Sequence, residues 1–392
     1  LLAQILSVIG SGLTTIALGI LAYELANEKA GQVLGFAFAI KMIAYVGVAP
    51  IASALAESLS RKPYLVFLDI TRAVLVLVLP FVTQIWQIYV LIFAFQAFSA
   101  AFTPAFQATI PDILEDEKEY SQALSYSRLT YDLESLVSPL LVGLLLSVVT
   151  FHWLFAGTAV GFLASAVLVS TAVFPMLDKA KAQIPFLKRL THGGAIYLTT
   201  PRLRGMLFLY FGVAAATAII LVNTVVYVKG ALGLGDTVVV LFFAVSGIGS
   251  MSVALILPRL LLRIDPRRVM IAGSCLLLVS LVGKSLTQSM ISGLLVWFLL
   301  GVGASMIQTP SGLLLKRSCY KEDRPAVFAA HFALTHACWL LAYPLTGVVG
   351  AQSGFSMAFF VAAAITAIGL VTAVGIWPAC VLMHWQKSSK KA

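Results

Sequence analysis

Twelve apolar runs, each about 20 residues long, follow one another along this chain with short breaks between them. They cover 1–25, 32–57, 64–83, 86–110, 122–148, 152–175, 205–228, 237–262, 268–288, 290–315, 325–349 and 355–379. That length lets one helix cross the hydrocarbon core of a bilayer, and a helix pairs its own backbone polar groups where no water is present. The reading is therefore an all-α polytopic membrane protein with twelve transmembrane helices. Composition agrees: of 392 residues 60% are hydrophobic and 11% charged, with a mean hydropathy of +0.99. A soluble domain of this length would need far more charge on its surface.

The connections alternate in charge. One set carries Arg61 and Lys62, then Lys179, Lys181, Lys188, Arg189, Arg202 and Arg204, then Arg259, Arg263, Arg267 and Arg268, then Lys316, Arg317, Lys321 and Arg324, and finally Lys387, Lys390 and Lys391. The other set holds Lys29 and Lys229. The positive-inside rule places the first set and both termini in the cytoplasm, as in a multi-pass protein of a bacterial-type inner membrane. The net charge of +10 is then mostly topology, and nucleic acid is not an expected partner. The chain opens within an apolar run at Leu1 without an initiator Met, which implies a few preceding residues. Cys275, Cys319, Cys338 and Cys380 show no CxxC spacing and read as small hydrophobes.

The chain also repeats. Thr103-Pro104 in span four returns as Thr309-Pro310 in span ten, 206 residues later. Pro139 and Gly143 of span five match Pro344 and Gly347 of span eleven, and Arg61-Lys62 matches Arg267-Arg268. The longest connection, basic and with a short amphipathic helix expected around Phe186–Leu198, lies between the copies. The domain reading is a six-helix bundle over 1–175, a cytoplasmic linker over 176–204, a second six-helix bundle over 205–380 and a cytoplasmic tail over 381–392. Parallel repeats of this kind place a substrate site at their interface, near the bilayer midplane.

Two six-span halves, a basic central loop and a proline-glycine fifth span resemble the major facilitator superfamily over the whole chain. Its loop signature between spans two and three survives as Ser53-Ala54-Leu55-Ala56-Glu57-Ser58-Leu59-Ser60-Arg61-Lys62, with Glu57 where the family has Asp. Its span-five antiporter signature survives as Glu134, Ser138-Pro139 and Gly143. The stretch Phe102–Asp112 is similar to the branch containing drug and siderophore exporters. His336-Ala337-Cys338-Trp339-Leu340, Tyr343-Pro344-Leu345 and Trp377-Pro378 resemble NreB-type nickel-resistance exporters. The resemblance implies alternating access around a central cavity, with spans two and eleven facing each other across the interface.

Ionisable groups inside a membrane are costly and mark function by default. Span five carries Arg128 and Asp132, four apart on one face, and Glu134 on another. A desolvated carboxylate can take and release a proton; equally, these three could brace the cytoplasmic gate. Span eleven carries His331, His336 and Cys338. At 100° per residue His331, Thr335 and Cys338 share one stripe, while His336, Trp339 and Tyr343 share another. Imidazole and thiolate suit nickel, cobalt, copper or zinc; imidazole also relays protons; the plain alternative is helix packing. Lys41 of span two either snorkels to water or faces the cavity near His336 or Cys338, where its charge would repel a free divalent cation.

Other groups lean structural. Glu57, Arg61, Asp69 and Arg72 read as a charge network latching the inner gate. Lys284 and Glu24, near outer span ends, are expected to snorkel. Gln96, Asn223 and Gln308 sit on spans that line the cavity in this fold and could touch substrate, as could Phe93, Phe95, Phe98, Phe102 and Phe106. Gly10-Ser11-Gly12 and Gly247-Ile248-Gly249-Ser250 read as close helix packing.

Together these features point to a proton-coupled secondary transporter, an exporter by resemblance, with no nucleotide motif and no cofactor expected. Its partners would be protons, the lipid bilayer and a small-molecule or metal-ion substrate, and it is expected to be a monomer. The substrate is either a transition-metal cation such as nickel or cobalt, or an organic compound such as a drug or siderophore. A membrane sensor that has lost transport is the reading from another class. No nucleophile-base set suggests an enzyme.

Overall fold

The computed structural model describes residues 2–58, 60–113, 141–146, 148–172, 186–261, 263–285, 289–320 and 323–377. Among these residues eleven helices are long and apolar enough to cross a membrane. Spans one to four are Leu2–Ala26, Ala30–Ser58, Arg61–Val78 and Ile85–Ile113. Span six is His152–Thr171, and a linker helix, Phe186–Thr199, follows. Spans eight to twelve are built on Asp236–Leu260, Pro266–Ser285, Met290–Gln308, Arg324–Ser353 and Phe355–Ile376. Span five lies largely outside the described residues, and with it Arg128, Asp132 and Glu134.

Prolines act where the backbone loses a donor. Span ten breaks at Thr309-Pro310 and resumes as Ser311–Lys316, whereas span eleven runs through Pro344. Span seven changes pitch. It begins as the α-helix Pro201–Ala218, widens to a π turn at Ile219–Asn223, returns to α at Thr224–Val226 and widens again at Tyr227–Ala231.

The sequence repeat reappears as repeated contacts. Lys62 donates from Nζ to the carbonyl of Ala172, the residue closing span six, at 3.0 Å. Arg267 donates from Nε to the carbonyl of Trp377, the residue closing span twelve, at 2.9 Å. Each half thus uses a basic side chain from its third helix to satisfy an orphan carbonyl at the end of its sixth, where the helix dipole also favours positive charge. The first and sixth helices of each half cross on glycine. A Cβ at Gly161 would sit 2.9 Å from the Leu6 carbonyl, and one at Gly369 would strike the Phe208 carbonyl. One turn away Gly10 meets Thr158, and Gly212 meets Thr366. Gly249 likewise seats the Phe298 carbonyl. Close approach through small residues replaces the hydrophobic drive that is missing between helices in lipid.

The halves meet where span two packs against span eleven. Gly31 faces Gly347, and Gly35 faces Tyr343 and Pro344. A Cβ on Gly35 would lie 2.6 Å from the Tyr343 carbonyl, and one on Gly347 would strike the Gly31 carbonyl, so neither Gly35 nor Gly347 could hold a side chain without moving backbone. Gly143, just before span six, faces Val240 of span eight. Tight packing therefore joins the halves on the face opposite the basic loops.

The described contacts of Asp69 and Arg72 lie within the first half. Their ion pair is buried inside the first half, at 0% and 3% exposure. Ser165 of span six donates to Asp69 at 2.7 Å, and Arg72 reaches Ser7 of span one at 3.4 Å. The guanidinium lies 4.1 Å from the Phe102 ring and 4.5 Å from the Phe162 ring. These contacts join spans one, three, four and six and brace a single bundle. The side chains of Glu57 and Arg61 lie outside the described residues. Lys284 does not snorkel: it is buried, donating to Tyr227 Oη at 2.6 Å and Ser292 Oγ at 3.2 Å. The Ser289 carbonyl lies 3.4 Å from the same ammonium. Glu24 is exposed.

Candidate functional site

Two residues on one helical face begin the site. Lys41 and Tyr45 are four apart on span two, and the Lys41 ammonium lies 5.8 Å from the Tyr45 ring centre. Across the seam, Tyr45 stacks on His336 of span eleven with ring centres 5.7 Å apart and planes 8° from parallel. Phe332, one turn earlier on span eleven, lies 3.8 Å from His336 and 6.2 Å from Tyr45. His336 in turn meets Trp339 at 5.2 Å, and Trp339 meets Tyr210 of span seven at 6.3 Å, edge to face. Edge-to-face and offset geometries suit the ring quadrupoles.

His336 Nδ1 lies 2.7 Å from the Phe332 carbonyl. A carbonyl only accepts, so Nδ1 carries the hydrogen and Nε2 keeps a lone pair when the ring is neutral. The indole N–H of Trp339 is buried and has no acceptor among the described residues. The cluster therefore offers flat apolar faces, one open imidazole nitrogen and one unsatisfied donor.

His331 turns the other way. Its Nδ1 lies 3.0 Å from Tyr197 Oη of the linker helix, and Tyr210 meets its ring edge-on at 5.0 Å. Tyr197 is fully buried, which pushes its phenol well above the ordinary range. Nearby, His192 on the linker helix pairs with Asp323 at 2.9 Å. The His331 stripe thus anchors the linker helix, while the His336 stripe faces span two. Cys338 is buried, with its thiol 3.5 Å from the Leu334 carbonyl.

The structure does not bring His331, His336 and Cys338 together, and no group of three His, Cys, Asp or Glu residues gathers as metal ligands among the described residues. Helical pitch is the reason: the two imidazoles leave span eleven in different directions. Gln96 and Gln308 are half-buried. Asn223 is buried at the seam rather than exposed in a cavity. The span-four phenylalanines do not form the cluster. Phe93 faces outward, Phe95 packs on Phe162, Phe98 packs on Phe67, and Phe102 lies under Arg72 with Phe106 stacked on it. Tyr45, Phe332, Tyr210 and Tyr197 take their place. Four-residue spacing from Lys41 and from His336 was the sequence signal for the first two; the last two are placed by tertiary packing alone.

Two pseudo-symmetric helical bundles meeting at a seam, with polar and aromatic groups at that seam, define a multi-pass membrane transporter. The chain belongs to the major facilitator superfamily, whose sequence pattern matches residues 1–333 and again 206–382. It is 26% identical over 396 residues to the uncharacterised MFS-type transporter YfiS of Bacillus subtilis (strain 168), covering 96% of this chain and 92% of that one. It is 24% identical over 200 residues to macrolide efflux protein A of Streptococcus pyogenes, 49% of each chain. In fold it is similar to a mutant of the nucleoside transporter NupG, with a TM-score of 0.77 and 13% identity over 96% of this chain and 99% of that one.

Proposed function

We propose that this chain is a proton-coupled exporter of amphipathic organic molecules, bound at the Tyr45–His336–Trp339 cluster between its halves. The observation that carries this is the run of rings from Tyr45 on span two through His336 and Trp339 to Tyr210 on span seven. Stacked faces with few polar groups favour a planar or greasy organic cargo over a hydrated metal ion. The buried, unpartnered Trp339 N–H offers a donor to a cargo oxygen. Likeness to a macrolide efflux protein over half the chain supports export and a drug-like cargo. With the basic loops in the cytoplasm by the positive-inside rule, both termini are cytoplasmic and export runs toward the glycine-packed face.

Proton coupling rests on groups that can hold a proton within the bilayer: His336 through Nε2, with Asp132 and Glu134 of span five. A cargo that binds only after one of them has lost its proton exchanges with that proton directly. Nickel and cobalt fit less well, because His331 and Cys338 are committed to Tyr197 and to the Leu334 carbonyl.

The test is uptake into everted vesicles under an imposed pH gradient. A macrolide, an aromatic organic dye, nickel and cobalt are compared in the wild type and in Tyr45→Ala and His336→Ala. Gradient-driven uptake of the macrolide or dye, lost in Tyr45→Ala, is expected. Uptake of nickel or cobalt alone would overturn the organic reading. Absence of substrate-dependent proton movement in liposomes would overturn proton coupling, and absence of any substrate flux as well would favour a sensor.

A further inference from the structure

Asn223 closes the π turn Ile219–Asn223 of span seven. π turns are rare and tend to mark functional positions. The next residue pins this one in place: Trp297 donates from Nε1 to Thr224 Oγ1 at 2.7 Å, and Thr224 donates to the Ile220 carbonyl. So held, Asn223 points its amide into the seam between spans two and eleven, with 1% of the residue exposed. Its Oδ1 occupies the space beside Gly31 and Gly350. A Cβ on Gly350 would lie 2.6 Å from that oxygen, and one on Gly31 3.7 Å away. Its Nδ2 finds no acceptor among the described residues.

A buried amide donor is almost always paired. Leaving one dry shifts an equilibrium against that state by roughly five- to hundredfold. The penalty here belongs to one state. When spans two and eleven separate on this face, water reaches the amide and the cost disappears. We infer that Asn223 sets the resting balance of the transporter by destabilising the state in which this seam is closed. Exchange needs both states within reach, and a seam sealed by glycine packing alone would lean toward closure. The unpaired amide counters that lean, whatever the cargo is.

The experiment measures the distance between spin labels at Lys29→Cys and Gln352→Cys, both exposed at this end of the seam. It uses the full chain in proteoliposomes, with Cys275, Cys319, Cys338 and Cys380 replaced by Ser. Wild type should show short and long distances together. Asn223→Ala should raise the closed-to-open ratio about fivefold or more. Gly350→Ala should lower it, because the added methyl overlaps Asn223 Oδ1. Combining the two substitutions should restore closure, since the smaller side chain leaves room for the methyl. An unchanged or more open distribution in Asn223→Ala would overturn the inference. So would a wild type found only in the closed state, or a Gly350→Ala protein that closes like wild type.

Discussion

Removing the Arg72 charge should destabilise the first half of the molecule rather than alter its gating. Asp69 is completely buried and Arg72 nearly so. Arg72→Met keeps most of the side-chain volume but leaves the Asp69 carboxylate with Ser165 as its remaining described partner. Stranding a buried charge in this way costs about 3–5 kcal/mol. The contact between the guanidinium and the Phe102 and Phe162 rings is lost as well, which places the expected value in the upper part of that range. Asp69→Leu alone removes the carboxylate from the buried pair and should cost a similar amount. The double variant Asp69→Leu/Arg72→Met removes both charges and leaves the Ser165 and Ser7 hydroxyls without these partners, so it should recover to within about 1–2 kcal/mol of wild type. SDS-titrated unfolding in mixed micelles measures all four proteins. If Arg72→Met unfolds within about 1 kcal/mol of wild type yet changes which face of the transporter is open, the brace is refuted and the pair is a gate latch.

Four further outcomes follow from named contacts. Lys62→Ala and Arg267→Ala each remove a charge-assisted bond to a helix-end carbonyl, so each should cost roughly 1 kcal/mol in the same unfolding assay, and the two should add because they lie in separate bundles. Gly161→Ala and Gly369→Ala force backbone apart at equivalent crossings; each should destabilise by about 1–3 kcal/mol, seen as a lower melting temperature in detergent. Lys284→Met breaks bonds from a buried ammonium to Tyr227 and Ser292 and should cost about 1.5–3 kcal/mol, by the same measurement. Burial raises the folded Tyr197 phenol above its ordinary value, so the unfolded chain loses that proton first; stability is full below about pH 10 and falls as pH rises beyond it. An alkaline titration of thermal stability should show that extra loss in wild type and not in Tyr197→Phe.

How much of this could be read from sequence depends on whether a feature is carried by one helix or by several. Span length, loop charge and the return of the Arg61-Lys62 turn at Arg267-Arg268 are properties of the chain alone, and the helices and the capping by Lys62 and Arg267 follow these landmarks. The surroundings of Asp69, Arg72 and Lys284 are not legible in sequence because each depends on partners from other helices. Ser165, Ser7 and Phe102 make Asp69 and Arg72 a core brace, and Tyr227 with Ser292 makes Lys284 a buried residue. His331, His336 and Cys338 were close in sequence but face different neighbours, which pitch alone foretells. The aromatic run was hidden because its members come from spans two, seven and eleven.

Symmetry separates scaffold from site. Contacts present in both halves, such as Gly161 with Leu6 and Gly369 with Phe208, hold each bundle together and would serve any cargo. The ionisable and aromatic groups break the pattern. At the spacing that relates Lys62 to Arg267, the position matching Asp69 is Ser274, whose buried hydroxyl has no partner among the described residues, and the positions matching Lys41 and Tyr45 are Ser246 and Ser250. Ser246 instead gives its carbonyl to the close approach of Gly301, so the second half uses for helix packing a position where the first half keeps a charge. A duplicated fold gives two equal walls; recognition of one cargo requires that they differ. The Lys41–Tyr45 pair on one wall and His336 with Trp339 on the other are such a difference, placed where the two walls touch.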